Sequence, residues 1–329
     1  MTKVFLTVCS LLICASLSAR PLVIAHRGAS AYLPEHTLEA AVLAHGMNAD
    51  YIEQDLVLSK DGVPVVLHDI HLETVTDVEQ RFPKRAREDG RYYAIDFTLA
   101  ELKTLRVHER TDTSGRQVYT KRYPGQSPFQ IATFEEQIEL ISALNRTRHR
   151  QTGLYPEIKS PAFHRREGLD ISKIVLALLD SYGLNHPGAR VYLQCFDYEE
   201  LKRLKKELGA HVMLVQLIGE NGWQESATDY DWLISRPGLE AVARIADGIG
   251  PWIPQLLDSS GRAPSSLLLN ARELGLSVHP YTFRSDQLPS GQTEQQHLEL
   301  LLNQLQVDGL FTDFPDRVVA FISARAPND

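Results

Sequence analysis

The stretch L-V-I-A-H-R-G at residues 22–28 joins a short apolar run, typical of a buried β-strand, to a histidine, an arginine and a glycine. A second apolar run, at 63–67, ends in the same manner at His68-Asp69. Residues that follow the ends of parallel or hairpin-paired strands face a common rim. Imidazoles and a guanidinium gathered at one rim, with acidic residues nearby, are typical of a metal-assisted centre that cleaves phosphoesters.

Apolar or β-branched runs of strand length alternate with stretches of helical pattern along most of the chain. The runs predict strands at 22–25, 51–55, 154–158, 191–196, 212–218, 247–250, 277–283 and 308–313. The helical stretches lie at 37–46, 133–147, 168–182, 197–208, 238–246, 264–274, 293–304 and 315–324. This α/β alternation, with eight strands and eight helices, predicts a (β/α)8 TIM barrel. The alternative, an open doubly wound sheet, would be favoured by a glycine-rich dinucleotide turn, which the sequence lacks.

Asp61-Gly62, between two apolar runs, predicts a β-hairpin after the second strand. The hairpin turns the chain back and brings His68 beside Glu53 and Asp55. Residues 70–130 then break the alternation with many charged residues and turn sequences. A loop of this length in a compact domain usually has a function or forms a subdomain, so we predict an insertion that covers the barrel mouth. An irregular stretch at 219–237 contains Trp223 and Trp232 and is a candidate for another wall.

Three acidic residues are candidate metal ligands. Glu53 and Asp55 lie two apart on a predicted strand, so both side chains point to the same face, and Glu157 lies near the end of the next barrel strand. Oxygen ligands without a nearby thiol favour Ca²⁺ or Mg²⁺ over zinc. We expect Ca²⁺, with Mg²⁺ as the alternative, because extracellular compartments are rich in calcium. The alternative is that these acidic residues bind no metal and only alternate along a strand face that is exposed to solvent.

Two histidines and two basic residues complete the candidate chemistry. An unperturbed imidazole titrates near ~6.5, so His26 and His68 are candidates for general acid and base, in an order that the sequence leaves open. Arg27 can offer a planar fork to a phosphate, and Lys159 a point charge. A surface ion pair is the alternative for both basic residues.

Four short motifs occur in order: H-R-G at 26–28, E-x-D at 53–55, H-D at 68–69 and E-I-K at 157–159. With further matching stretches at 91–98, 192–197 and 309–315, they make the chain resemble bacterial periplasmic glycerophosphodiester phosphodiesterases from about residue 22 to about residue 321. The resemblance implies metal-dependent hydrolysis of glycerophosphodiesters to glycerol 3-phosphate and an alcohol. It also assigns the catalytic roles to His26 and His68.

Other residues are expected to support that site. We expect Gly28 to let the backbone approach the ligand and Glu35 to orient the side chains that contact it. His36 stands where many relatives have asparagine, and we expect it to support the start of a helix without altering the chemistry. Aromatic residues at or beyond strand ends can line a pocket for glycerol or belong to the core; they are Phe196, Tyr281, Phe163, Trp252 and Phe314.

The first nineteen residues have the pattern of a cleavable secretory signal: Lys3, an apolar run at 4–17 and small residues before Arg20. We therefore expect 1–19 to be removed and 20–329 to form a periplasmic barrel without a stable membrane anchor. Cys9 and Cys14 leave with that segment, so the mature chain keeps one cysteine and no intrachain disulfide.

The chain has 329 residues, 43% of them hydrophobic, and a net charge of −8. The charge argues against a general nucleic-acid binder, and the expected partners are small glycerophosphodiesters. The oligomeric state is not determined by the sequence. A lysophospholipase D would need an exposed apolar lip, which no segment clearly provides. A catalytically silent binding protein on the same scaffold should have lost a catalytic histidine or a metal carboxylate, and this chain keeps them all.

Overall fold

The computed structural model describes residues 20–125 and 128–325, so the predicted signal segment lies outside the described residues. The strands of the described residues are β1 (Leu22–Ala25), β2 (Tyr51–Leu58), β3 (Pro64–Val66), β4 (Gly153–Ile158), β5 (Tyr192–Cys195), β6 (Met213–Ile218), β7 (Gly248–Pro251), β8 (Ser277–Val278) and β9 (Gly309–Thr312). β3 pairs antiparallel with β2 through the turn at Asp61-Gly62, which confirms the predicted hairpin. The remaining strands run parallel, in the order β8-β7-β6-β5-β4-β2-β1-β9.

The two ends of this strand order meet and close the barrel. The Asp308 N–H donates to the Val278 carbonyl at 3.0 Å, and the Phe283 N–H donates to the Phe311 carbonyl at 2.8 Å. The predicted (β/α)8 TIM barrel is therefore confirmed, and the alternative of an open doubly wound sheet is wrong.

Helices follow the strands and cover the outside of the barrel. Those of the described residues are α1 (Leu38–Gly46), α2 (Val78–Arg81), α3 (Leu99–Leu102), α4 (Phe134–Arg148), α5 (Pro161–Arg166), α6 (Ile171–Ser181), α7 (Tyr198–Lys206), α8 (Tyr230–Leu233), α9 (Arg236–Val242), α10 (Ser266–Glu273), α11 (Glu294–Leu298), which continues as a π-helix at Glu299–Gln304, and α12 (Pro315–Ser323). Three 3₁₀ turns lie at Ala94–Asp96, Asn221–Trp223 and Ile253–Leu256. In the described part of the chain, no helix has the length and apolar character needed to cross a membrane.

A layer of aromatic and aliphatic side chains fills the barrel interior. Tyr155 stacks on Tyr192 with ring centroids 4.9 Å apart, and its hydroxyl lies 2.9 Å from Nδ1 of the buried His279. Since side chains alternate along a strand, Glu53 and Asp55 follow Tyr51 on the inner face of β2, and Glu157 follows Tyr155 on β4. The packed layer therefore lies beneath the acidic residues, which occupy the carboxyl-terminal rim.

The described residues of the 70–130 insertion form a small unit with its own apolar core. Leu72, Phe97 and Leu102 are fully buried there, and Val57 and Val65 of the β2–β3 hairpin belong to the same cluster. The insertion is thus packed on the hairpin that carries His68. This contact fixes it beside the barrel mouth.

Candidate active site

A cavity of about 240 Å³ opens at the carboxyl-terminal rim of the barrel. In a (β/α)8 barrel this is the rim at which loops of several strands meet. Nine residues singled out in the sequence are among those that line it: His26, Arg27, Glu53, His68, Glu157, Phe196, Trp223, Trp252 and Tyr281. The structure therefore brings together residues from eight separate segments of the sequence.

The three carboxylates are buried side by side because β2 and β4 pair with Asp55 opposite Glu157. Burial and the charge of Asp55 raise the pKa of Glu53 well above its usual value, and burial likewise raises the pKa of Glu157. Burial opposes ionisation of Asp55 as well, but His68, His36 and Lys159 lower its pKa well below the usual value. A hard divalent cation would supply the positive charge that these crowded oxygens need, so the donor set fits one.

One ligand atom each of His36, Glu53 and Asp55 lies within 4.8 Å of the other two, a spacing that can hold a metal ion. The Nε2 atom of His36 lies 2.8 Å from Oδ2 of Asp55. His36 thus contacts a candidate metal ligand. It directly precedes Thr37, which caps α1 by accepting from the Ala40 N–H, and its expected support of this helix start stays a prediction.

Each catalytic candidate makes the same type of contact with an aspartate. Nδ1 of His26 lies 2.6 Å from Oδ1 of Asp313, and Nδ1 of His68 lies 2.8 Å from Oδ1 of Asp69. An aspartate at Nδ1 keeps a proton there and leaves Nε2 as the free ring atom. Burial and the neighbouring charge of Arg27 lower the pKa of both histidines to about 4, so both rings are neutral at physiological pH.

The basic residues are held by acidic neighbours. Arg27 donates from its backbone N–H to Glu53 at 2.7 Å and from its guanidinium to Glu35 at 3.0 Å. Glu35 thus holds the Arg27 side chain, and its expected role of orienting the groups that contact substrate stays a prediction. Nζ of Lys159 lies 2.9 Å from Oε1 of Glu157, an ion pair at the carboxylate cluster, and Lys159 is not among the residues that line the cavity.

Gly28 is needed for a different reason from the predicted one. Its φ is +81°, and an added Cβ would come within 2.8 Å of the Ala40 carbonyl carbon in α1. The residue lets the turn after β1 pack against a helix backbone, and it is not among the residues that line the cavity. The expected close approach of its backbone to a ligand stays a prediction.

Aromatic side chains form one wall of the cavity. Trp223 and Trp252 meet edge to face at 5.3 Å, and Phe196 and Tyr281 at 5.9 Å. Two other aromatic candidates lie elsewhere: Phe163 stacks on Tyr93, and Phe314 packs edge to face on Tyr32.

Sequence reasoning missed Asp313, which contacts His26, and three arginines that bind the aspartates of the two histidines. Asp313 follows β9 directly, so the rule that placed the other strand-end residues could have found it. Arg284 follows the predicted strand at 277–283 and was found by no motif. Arg110 and Arg122 lie in the insertion, where no periodicity relates them to the barrel.

Comparisons with solved structures support the fold. A Silicibacter pomeroyi protein of known structure matches with a TM-score of 0.71 and 23% identity, covering 93% of this chain and 94% of that one. An Oleispira antarctica phosphodiesterase in complex with sn-glycerol-3-phosphate matches with a TM-score of 0.59 and 22% identity, covering 92% and 97%.

Sequence relatives are closer. A glycerophosphodiester phosphodiesterase of Haemophilus influenzae is 43% identical over 92% of this chain and 89% of its own length. One of Treponema pallidum is 36% identical over 95% and 94%. A family model for glycerophosphoryl diester phosphodiesterases matches residues 26–317. The chain therefore belongs to the glycerophosphoryl diester phosphodiesterase family, a family of phosphoric diester hydrolases.

Proposed function

We propose that the chain hydrolyses glycerophosphodiesters to glycerol 3-phosphate and an alcohol, with His26 and His68 as the acid–base pair. The observation that carries this proposal is that both histidines line one cavity with Glu53 and Glu157 and have Nδ1 engaged by an aspartate. The Haemophilus and Treponema relatives are both named glycerophosphodiester phosphodiesterases, which supports the substrate class. The glycerol 3-phosphate described as product in the Oleispira complex agrees with it.

We further propose that Glu53, Asp55 and Glu157 bind a divalent cation, Ca²⁺ rather than Mg²⁺. When bound, such an ion polarises a phosphoryl oxygen and offsets the charge that develops there. The proposed ligands are oxygen atoms, and His36 contacts Asp55 and orients this carboxylate. Ca²⁺ suits this set because it accepts irregular oxygen coordination.

The chain's own residues move the protons. A neutral imidazole with a free Nε2 can accept the proton of the attacking hydroxyl, which is either a substrate hydroxyl or water. The second imidazole must donate a proton to the leaving alcohol. The phosphodiester anion favours the protonated form of this imidazole. Its negative charge beside the ring raises the pKa that burial has lowered. Arg27, on the cavity wall, stabilises the negative charge of the phosphate.

The metal proposal is tested by dialysis against a chelator followed by readdition of single ions. We expect chelation to abolish release of glycerol 3-phosphate and Ca²⁺ to restore it better than Zn²⁺. Glu53→Gln and Asp55→Asn should raise the metal concentration needed for half-maximal activity. Glu199→Gln, an exposed residue on α7, is the matched control and should titrate like the wild type. Full activity after dialysis with excess chelator would contradict the proposal.

The substrate proposal is tested with a panel of glycerophosphodiesters that differ in the alcohol, assayed by coupled release of glycerol 3-phosphate. Lysophospholipids belong in the same panel, because preferred turnover of these would make the protein a lysophospholipase D. Binding of a glycerophosphodiester without turnover by the metal-loaded protein would instead identify a silent binding protein.

A further inference from the structure

Both histidine–aspartate pairs of the cavity are bound by an arginine of the insertion. Arg122 donates to Oδ2 of Asp313 at 2.6 Å, and Arg110 donates to Oδ2 of Asp69 at 2.6 Å. In each pair the other carboxylate oxygen, Oδ1, is the one that contacts the histidine. The same arrangement thus occurs twice at one cavity, and both arginines come from the same segment.

On the His26 side the arrangement is buried. Arg122 is 6% exposed, contacts Asp286 with Nε at 3.0 Å, and lies over the Tyr119 ring at 3.7 Å from its centroid. Arg284 also donates to Oδ2 of Asp313, at 2.9 Å. With Oδ2 bound by two guanidinium groups, the carboxylate of Asp313 cannot turn without breaking charged hydrogen bonds.

On the His68 side, Arg110 links the aspartate of the histidine to the carboxylate that holds Arg27. Arg110 donates to both oxygens of Glu35, at 2.6 and 3.0 Å, as well as to Asp69. Glu35 in turn accepts from Arg27, at the wall of the cavity. Asp69 is half-exposed at the rim, whereas Asp313 is buried. Arg110 therefore restrains an Asp69 carboxylate that burial alone does not hold in place.

We propose that the insertion at 70–130 is a positioning element for both catalytic histidines. Arg110 and Arg122 hold Asp69 and Asp313, which keep the proton of each ring on Nδ1 and direct Nε2 into the cavity. This inference rests on the proposed function, since it assigns positioning residues to the same acid–base pair. The insertion is packed on the hairpin of His68, and Arg122 reaches across to the end of β9, so one rigid unit sets both rings.

The kinetic test compares Arg110→Gln and Arg122→Gln with Arg116→Gln, an exposed arginine of the same insertion that pairs with Asp112. We expect each of the first two to lower kcat about 10-fold to 100-fold, as loss of supporting hydrogen-bond partners does elsewhere, with little change in KM. Arg122→Lys should recover part of kcat, because it restores the charge without the fork. Arg116→Gln should match the wild type. Values of kcat within about twofold of wild type for both Arg110→Gln and Arg122→Gln would overturn the proposal.

A spectroscopic test separates positioning from general loss of structure. In protein labelled with ¹⁵N-histidine, the ring nitrogens of His26 and His68 report which atom carries the proton, and spectra of His26→Ala and His68→Ala variants assign them. We expect Nδ1 to be protonated in the wild type. Arg110→Gln should mix the two tautomers at His68 alone, and Arg122→Gln or Arg122→Lys at His26 alone.

Unchanged ring spectra in the folded variants would overturn the proposal whatever the kinetics. Should Arg122→Gln not fold, the Arg122→Lys and Arg110→Gln variants decide the outcome. Their kcat values and their histidine ring spectra are then the two measurements. Failure of the proposed function is distinct from failure of this inference. A wild-type protein without phosphodiesterase activity would refute the first, while the tautomer spectra would still decide the second.

Discussion

Arg27 connects the charged groups of the site more closely than any motif indicates. Its backbone N–H binds Glu53, its guanidinium binds Glu35, and Nε lies 3.5 Å from Oδ2 of Asp55. Its φ of +58° is uncommon for a residue other than glycine and costs on the order of 1 kcal/mol. The contacts with three buried acids offset that cost. Burial and, after it, the charge of Arg27 lower the pKa of both histidines, so this one residue acts on both rings.

At this scale the first prediction concerns the acid–base pair. His26→Ala and His68→Ala should each lower kcat by at least about a hundredfold, the usual contribution of positioned proton transfer. The double variant should lose much less than the product of the single losses, because the two residues serve one reaction. Steady-state kinetics and thermal denaturation measure both effects. His211→Ala, at an exposed position, is the control. A variant of either histidine that keeps more than about a tenth of wild-type kcat would assign that residue a structural role.

Strand-end reasoning could predict which residues meet at the cavity, but not how they are bonded there. His26, Glu53 and Glu157 follow from strand periodicity, which is a local property. The contact of His36 with Asp55 depends on a positive φ of 65° that no residue pattern shows. The contacts of Arg110 and Arg122 join residues up to 191 positions apart, and such distances are set by the packing of the insertion.

At the scale of elements, the turn after β1 and helix α1 form one packed joint. The Ala29 N–H donates to the Ala40 carbonyl at 3.0 Å, and Gly28 lies against the same peptide. The turn thereby fixes the position of the Arg27 backbone, from which the side chain extends towards the cavity. Little of this joint could be predicted, because a glycine requirement is visible in sequence but its cause is not.

The second prediction separates two costs at this joint. Gly28→Ala should destabilise the protein by the cost of a positive φ, roughly 1 kcal/mol, plus the cost of displacing the Ala40 backbone. Gly90→Ala is the matched control, since its φ is +79° and nothing lies within 4 Å of an added Cβ. Chemical denaturation should show a clearly larger loss of unfolding free energy for Gly28→Ala. Equal losses would mean that α1 shifts without cost.

Among the other elements, the alternation of patterns predicted every barrel strand and the eight outer helices, with small differences at their ends. The largest difference is at 277–283, where the structure has a two-residue strand, β8. Pro280 has no N–H and cannot continue the ladder as donor, so later residues pair only through isolated bridges. The short helices α2, α3, α5 and α8 were missed, because helices of four to six residues carry too few periodic positions.

For the whole molecule, the third prediction is a loss of stability in mild acid. His164 is 1% exposed, neither ring nitrogen has a hydrogen-bond partner among the described residues, and burial lowers its pKa to about 4. The unfolded chain, with a pKa near ~6.5, binds this proton first. The contribution of the neutral His164 ring to the unfolding free energy is therefore fully present above pH ~6.5. It is lost as the pH falls towards 4, by up to ~1.4 kcal/mol per pH unit.

Urea denaturation at several pH values between about 7 and about 4.5 measures this dependence. His164→Leu should flatten the curve by about one proton, since the variant has no group to titrate and loses no hydrogen bond. His211→Leu, at an exposed position, should leave the curve unchanged. A His164→Leu curve parallel to the wild type would show that the buried ring is protonated equally in both states.

The fourth prediction concerns the mature chain. We propose that the protein is exported to the periplasm after cleavage near residue 19. Arg20 pairs with Asp50 through two hydrogen bonds just before β1, so cleavage there leaves almost no unpaired tail. Intact-mass measurement of the exported protein should give a first residue near Arg20. A cytosolic protein that still begins at Met1 would refute both cleavage and export.

β1 pairs with β9, and His26 contacts Asp313, which is 287 positions later in the sequence. During synthesis the first strand therefore has no partner on one side until nearly all of the chain has left the ribosome. Contacts of such separation form late, because the intervening chain must be ordered before they stabilise anything. The His26 ring thus becomes oriented only with the last strand, and an intermediate that lacks β9 has an open sheet edge at β1. If the protein is exported as proposed above, this order of events favours export, because a chain whose fold is completed by its final segment stays unfolded for longer.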